Sequence, residues 1–238
     1  MTDEEKELLR AGADAAIKPF GNLIERLFGG AVDEIGGTWQ DRLKLRRFKR
    51  RLKLYEEIDR SIKSAGFEPI EIPERIWFPA LSAASLNDDA DLQRCWATLL
   101  INAADPEKQP AVLPAFVDIL SQLSPKEALF MRQLYQDAGS IVKGEPRRRL
   151  GDRSSLISSF TKAGLSYNNM LEDPERWMFT VFLGNLLRLQ LLSKETTFNL
   201  SFPNPAYNRG EAQATDVYFV SDIGNAFVEL CLRGQGPA

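Results

Sequence analysis

Apolar residues recur at helical spacing along most of this chain, and in the opening stretch that pattern is accompanied by many glycines. The apolar positions are Ile17, Phe20, Ile24, Leu27, Phe28, Ala31 and Ile35, and the glycines are Gly12, Gly21, Gly29, Gly30, Gly36 and Gly37. An interior glycine costs a helix about 1 kcal/mol relative to alanine. We therefore expect a marginal amphipathic helix, or a pair of helices, that gains order from a partner surface.

A second helix is predicted to begin after Thr38, an N-cap residue type, and to end at Ala65, where Gly66 provides a stop. Its apolar stripe consists of Leu45, Phe48, Leu52, Tyr55 and Ile62. Three shorter helices punctuated by proline follow over 73–86, 88–104 and 112–123. Asn87 is the predicted cap of the second of these, whose wide apolar face belongs in a core.

Ser124-Pro125-Lys126-Glu127 has the pattern of a capping box, which predicts a helix from this point to about Ala138. A glycine-containing linker to Gly151, helices near 154–163 and 166–171, and an apolar helix over 173–192 should come next. Two β-patterned runs, 197–202 and 216–220, then precede a final helix after Ser221. Helices followed by a hairpin are typical of a winged helix-turn-helix.

The predicted fold is therefore mainly α. It has an N-terminal helical arm (1–66), a central helical domain (67–123) and a C-terminal winged-helix-like unit with one small β-hairpin (124–238). The helix over 173–192 has only Arg176 and Arg188 as basic residues, so we expect it to pack within the protein and not to read a DNA groove.

Charge is distributed unevenly along the chain. Ten basic and four acidic residues lie between Thr38 and Ala65, so this segment is +6, whereas the net charge of −3 leaves −9 for the rest. The helix could lie on an anionic membrane surface, follow a nucleic-acid backbone, or be a solvated helix whose stripe packs in the core. The glycine-rich stretch beside it favours membrane contact or oligomer packing over nucleic acid. The candidate anionic-surface contacts are Arg42, Arg46, Arg47, Lys49, Arg50, Arg51 and Lys53.

The sequence contains no histidine, the usual general base and the commonest zinc ligand. Ser159 and Lys162 match the S-x-x-K pattern of serine acyl enzymes, but so short a pattern arises by chance. The glycines over 139–144 are followed by Glu145 where a phosphate loop has lysine, and the acidic residues at 88, 89 and 91 are suited to capping a helix. We predict no catalytic residue, no cofactor and no metal site, and hence a protein that is not an enzyme.

Cys95 and Cys231 lie in apolar stretches and are predicted to be buried thiols in a reducing compartment. The acidic N-terminus lacks the features of a signal peptide, and the apolar window 177–192 is too short and too polar for a membrane span. The arginines at 147–149 are predicted to form a solvated loop. We therefore expect a cytoplasmic protein, either free or peripherally bound to a membrane.

Three runs between Ile72 and Met131 resemble the core of the bacterial abortive-infection alpha family. They are the proline-led helix ending in ALSAASL, the D-L-x-x-x-W-A-x-L-L-x-N-A run from Asp91 to Ala103, and the P-A-F-V-x-I-L-x-Q-L-S-P run from Pro114 to Pro125. Residues 185–192 and 216–231 are also similar to its C-terminal pattern, although Gln190 stands where a turn glycine is expected.

The resemblance implies a bacterial cytosolic protein of phage defence by abortive infection, and it supplies no catalytic residues. Trp96, Asn102 and Pro114 match family positions and are interpreted as structural. The functional prediction is a non-enzymatic defence factor that acts by contact with a membrane surface or an unknown protein partner, with homo-oligomers also considered. The alternative is a winged-helix nucleic-acid-binding regulator.

Overall fold

The computed structural model describes residues 15–29, 42–138, 148–165, 174–201 and 211–233. Within them the chain is mainly α-helical with a small antiparallel sheet, which confirms the predicted fold class. The chain forms two compact units, one made of Met1–Leu123 with Leu230–Ala238 and the other of Ser124–Glu229. The division into three parts at 66 and 123 and the winged-helix-like assignment both stay predictions.

The first unit has a helical core. Rings of Phe28, Tyr55 and Trp77 pack together, with centroids 6.1 Å apart for Phe28 and Tyr55 and 5.4 Å apart for Phe28 and Trp77. Every residue from Cys95 to Ala104 is buried. The helices are α1 (Gly21–Phe28), α2 (Arg42–Ala65), α3 (Glu74–Leu86), α4 (Ala90–Ala104) and α5 (Pro114–Ser121), with 3₁₀ turns at Lys18–Phe20 and Gln109–Ala111.

Helix ends in the first unit follow the local signals closely. Gly66 has a φ of +71° and its N–H donates to the carbonyl of Ile62 at 3.0 Å, so α2 ends as predicted. At the start of α4 the Asn87 cap is wrong, whereas capping by the acidic run is confirmed: the carboxylate of Asp89 accepts from the backbone N–H groups of Asp91 and Leu92. Asn87 instead accepts from the N–H of Asp89, because several neighbouring residues have capping side chains and only the turn geometry selects between them.

The second unit places a short sheet beside four helices of the described chain. Its aromatic core contains Phe130, Phe160 and Phe179, of which Phe160 meets each of the others edge to face at 5.1 and 5.4 Å. The elements are α6 (Pro125–Asp137), β1 (Arg148–Gly151), α7 (Arg153–Lys162), α8 (Pro174–Arg188), β2 (Leu192–Ser201), β3 (Glu211–Val220) and α9 (Asp222–Phe227), followed by a π-helical turn at Val228–Leu232.

The capping box at the start of α6 is confirmed. Ser124 Oγ accepts from the N–H of Glu127, and Glu127 Oε2 accepts from the N–H of Ser124 at 2.8 Å. Helix α8 buries Phe179, Leu183 and Leu186, whereas Trp177 is 70% exposed, so packing uses one side of that helix.

A β-hairpin forms in the predicted region, but the predicted pairing is wrong. Strands β2 and β3 pair antiparallel from Leu192 opposite Val220 to Ser201 opposite Glu211, so 197–201 pair with 211–215 and 216–220 pair with 192–196. The first strand begins earlier than predicted because α8 ends at Arg188 and does not continue to Leu192. The prediction of a solvated loop is wrong for Arg148 and Arg149, which form β1 opposite Val220 and Phe219 of β3. The sheet order is therefore β1-β3-β2. Arg148 also places its guanidinium 4.2 Å from the centre of the Tyr135 ring.

Helix α8 ends in a Schellman motif. The N–H of Leu191 donates to the carbonyl of Leu186, and the N–H of Gln190 donates to that of Leu187, both at 3.0 Å. Gln190 has a φ of +58°, as the expectation of a turn glycine at this place implies. The Thr38 cap, the glycines over 139–144 and the helix predicted over 166–171 lie outside the described residues.

Candidate functional site

Helix α2 turns one apolar side into the core of the first unit and a basic side to solvent. Phe48, Tyr55 and Ile62 of the predicted stripe are buried, and Leu52 is half-buried. The predicted apolar stripe did not include Leu54 and Ile58, although their side chains are also buried, at 2% and 0% exposed. Burial of this side positions the basic residues on a rigid support.

Three cations line up on the exposed side of α2, and we call Arg46, Lys49 and Lys53 the basic stripe. Their spacing of three and four residues places them on one helix face over about 10 Å of its axis. All three are exposed, and none forms an ion pair with a residue that the structure describes. Arg47 is exposed as well. These charges are available to an anionic surface.

Arg50 is engaged with the end of α3. Its Nη1 donates to the carbonyls of Ser85 and Leu86 at 3.1 and 3.2 Å, and its Nη2 lies 3.5 Å from the carboxylate of Asp88. The last carbonyls of a helix have no partner within it, and a cation there also favours the helix dipole. Arg50 therefore has a structural role that the charge pattern of α2 did not reveal.

Arg51 and Arg42 contribute differently from the basic stripe. Arg51 is half-buried beside Tyr55, where burial raises the pKa of the phenol to about 12 and the charge of Arg51 opposes that rise. The side chain of Arg42 lies outside the described residues. Of the seven predicted contacts, the structure thus describes Arg46, Arg47, Lys49 and Lys53 as exposed.

A pocket of about 420 Å³ opens beside α2, where the helix passes the junction of α3 and α4. We call it the α2–α4 pocket. Two of the predicted anionic-surface contacts, Arg50 and Lys53, line it. The remaining lining residues are Leu54, Glu57, Asp88, Ala90, Gln93 and Arg94.

In the described part of the chain, no group of three or more cysteine and acidic side chains is arranged to hold a metal ion. Asp89 is the N-cap of α4, and Asp91 pairs with Arg94 one turn along the same helix. The acidic run at 88–91 thus has identifiable structural partners.

The S-x-x-K pair joins α7 to α6. Ser159 Oγ donates to one carboxylate oxygen of Asp137 at 2.6 Å, and Lys162 Nζ lies 3.1 Å from the other. Burial alone would raise the pKa of Asp137, but hydrogen bonds from Ser159, Lys162 and Gln133 outweigh it and lower that pKa. The ionised carboxylate of Asp137 therefore binds the side chains of Ser159 and Lys162 and links α6 to α7.

Both cysteines are buried thiols. Cys95 and Cys231 are 1% and 0% exposed and form no disulfide. Burial raises the pKa of the Cys231 thiol, and the proximity of Cys95 raises it further. A thiol with a raised pKa is a weak nucleophile.

A family model described as abortive infection alpha matches residues 40–231, which is most of the chain. The chain belongs to the abortive infection alpha family. The matched range begins just before α2 and ends at Cys231, so it includes the whole basic stripe and the α2–α4 pocket. Comparisons with curated proteins and with solved structures gave no match.

Membership of the abortive infection alpha family indicates a part in phage defence by abortive infection. Three residues that carry the resemblance have structural positions: Trp96 is 1% exposed, Pro114 opens α5, and the Asn102 amide donates to the carbonyl of Leu230 at 2.8 Å. Among the described residues, no helix combines the length and the apolarity that crossing a bilayer requires.

Proposed function

We propose that this abortive infection alpha protein is a non-enzymatic defence factor whose basic stripe binds an anionic membrane surface. The observation that carries the proposal is the alignment of Arg46, Lys49 and Lys53 on one exposed helix face without ion-pair partners in the described chain. Their charges are displayed by a helix whose opposite side is anchored in a core.

Electrostatics gives the expected strength of this contact. A lysine or arginine near an anionic leaflet contributes about 1 kcal/mol, and the attraction falls off within a Debye length. Binding should therefore be strongest at low salt and should weaken steadily as salt is added. A non-enzymatic mode of action agrees with the absence of histidine from the sequence.

The test reverses two charges of the basic stripe, Arg46→Glu together with Lys49→Glu. Losing two contacts of about 1 kcal/mol each should weaken binding to phosphatidylglycerol vesicles at least about 30-fold, and phage protection should be lost with it. The matched control is Arg75→Glu with Lys126→Glu. It changes the net charge equally at exposed sites in the first turns of α3 and α6, where acidic residues are favourable.

Three results would contradict the proposal. If Arg46→Glu with Lys49→Glu protected cells from phage as well as the parent does, the basic stripe would not be the surface that contacts the membrane. Loss of salt-dependent DNA binding, with vesicle binding absent in the parent, would replace the membrane by nucleic acid. Metal-dependent nuclease activity that disappears in Asp88→Ala, Asp89→Ala or Asp91→Ala would overturn the non-enzymatic mode.

A further inference from the structure

The α2–α4 pocket has the size of a small-molecule site. Its volume of about 420 Å³ lies within the range of roughly 300–1,000 Å³ that is typical of ligand pockets. Leu54 and Ala90 supply an apolar part of its wall, and charged or amide side chains line the rest. All of its lining residues belong to the first unit.

The charges at the wall leave one cation unmatched. Glu57 accepts from Arg60 at 2.9 Å, Arg94 pairs with Asp91, and Arg50 has the α3 carbonyls and Asp88 as partners. Lys53 forms no ion pair with any residue of the described ranges. A phosphate in the pocket would find three cationic side chains, Arg50, Lys53 and Arg94, around it.

Gln93 provides a second and independent feature of the wall. Its amide nitrogen donates to the carbonyls of Ala84 and Asn87 at 2.6 and 2.7 Å, which fixes the orientation of the amide. Its Oε1 atom is buried, so a ligand would pack against the rest of this fixed side chain.

We propose that the α2–α4 pocket binds a small soluble organophosphate that carries a ring. The phosphate would lie against Lys53, Arg50 and Arg94, and the ring against Leu54 and Ala90. Lipid headgroups share this chemistry. We commit to a soluble ligand of mononucleotide size because the pocket volume exceeds what a phosphate fills and because Leu54 and Ala90 suit a ring.

Titration calorimetry on the full chain tests the proposal, with AMP, adenosine and inorganic phosphate as probes. AMP should bind at least about tenfold more tightly than adenosine, because only AMP engages the cations. Lys53→Gln should weaken AMP binding about tenfold. Asp88→Asn should strengthen it, because Asp88 competes for Arg50 and is 86% exposed, so its replacement leaves the fold intact.

The control is Lys63→Gln, which removes one positive charge from α2 at a residue paired with Asp59 outside the pocket, and AMP binding should be unchanged. Absence of AMP binding at millimolar concentration would overturn the proposal, as would equal losses in Lys53→Gln and Lys63→Gln. Displacement of AMP by phosphatidylglycerol vesicles would assign the pocket to a lipid headgroup and overturn the soluble ligand.

The two proposals fail separately. Arg46→Glu with Lys49→Glu should weaken vesicle binding at least about 30-fold and leave AMP binding within about twofold of the parent, because neither residue lines the pocket. If that variant lost AMP binding as well, the pocket would not be a distinct site.

Discussion

Gln190 holds a backbone conformation that glycine adopts without strain. Its φ of +58° is imposed by the Schellman motif that ends α8, in which the N–H of Leu191 reaches back to Leu186. The apolar side chains of Leu186 and Leu191 are both 0% exposed, and such a contact commonly accompanies this motif. A side chain with a Cβ costs about 1–2 kcal/mol in the left-handed region. The motif therefore persists at the expense of local strain.

Replacing Gln190 by glycine should stabilise the protein by about 0.5–1 kcal/mol. Glycine relieves the backbone strain of the folded state, which raises the free energy of unfolding. It also gives the unfolded chain more conformational entropy, which cancels part of that gain. Urea unfolding followed by circular dichroism measures it, with Gln190→Ala as the control that keeps the Cβ and should give no gain. Equal stability of the two variants would show that the left-handed conformation is not strained here.

At the scale of elements, two helical glycines have opposite surroundings. A Cβ added at Gly184 of α8 would meet nothing within 4 Å. A Cβ added at Gly224 of α9 would overlap the carbonyl oxygen of Leu191. That close approach lets α9 sit against the end of α8, where Ser221 also donates to the carbonyls of Gln190 and Leu191. Gly224 is therefore required by packing, whereas Gly184 is not.

The two alanine substitutions should consequently have opposite signs. Gly184→Ala should raise the free energy of unfolding by about 0.5–1 kcal/mol through helix propensity. Gly224→Ala should lower it by about 1–3 kcal/mol, because backbone atoms must move apart. Denaturant unfolding of the pair side by side is the measurement. A stabilised Gly224→Ala variant would mean that α9 does not approach Leu191 as described.

For the whole molecule, the chain leaves the first unit after Leu123 and returns to it at Leu230. The returning residues Leu230, Cys231 and Leu232 are 8%, 0% and 2% exposed. The buried amide of Asn102 donates to the carbonyl of Leu230 and its Oδ1 accepts from Lys108. The first unit thus depends on residues more than a hundred positions away in the sequence.

Deleting residues 230–238 should destabilise the first unit by about 3–6 kcal/mol, since two buried leucines are lost and Asn102 loses its acceptor. Hydrogen exchange read by mass spectrometry should show faster exchange in peptides of α4. Deleting only 234–238 is the control and should leave exchange unchanged, because the buried residues Leu230, Cys231 and Leu232 remain. Unaltered protection of α4 after the longer deletion would contradict this dependence.

Features that depend on a few neighbouring residues can be read from the sequence alone. Gly66 ends α2, Ser124 and Glu127 form the capping box, and β-patterned runs predict that a hairpin forms before the last helix, although not its register. Each rests on backbone geometry that a short segment dictates by itself. The basic stripe on α2 follows in the same way, because residues three and four apart share one helix face.

Tertiary structure decides the features that join distant segments. Strand β1 forms because β3 offers a partner for Arg148 and Arg149, and Arg50 is engaged because the end of α3 lies beside α2. The α2–α4 pocket likewise brings Lys53 and Gln93 together across forty positions. A local sequence pattern predicts which face of a helix or strand a residue occupies. It does not predict which carbonyl, strand or side chain contacts that face, because the packing of the whole unit determines the partner.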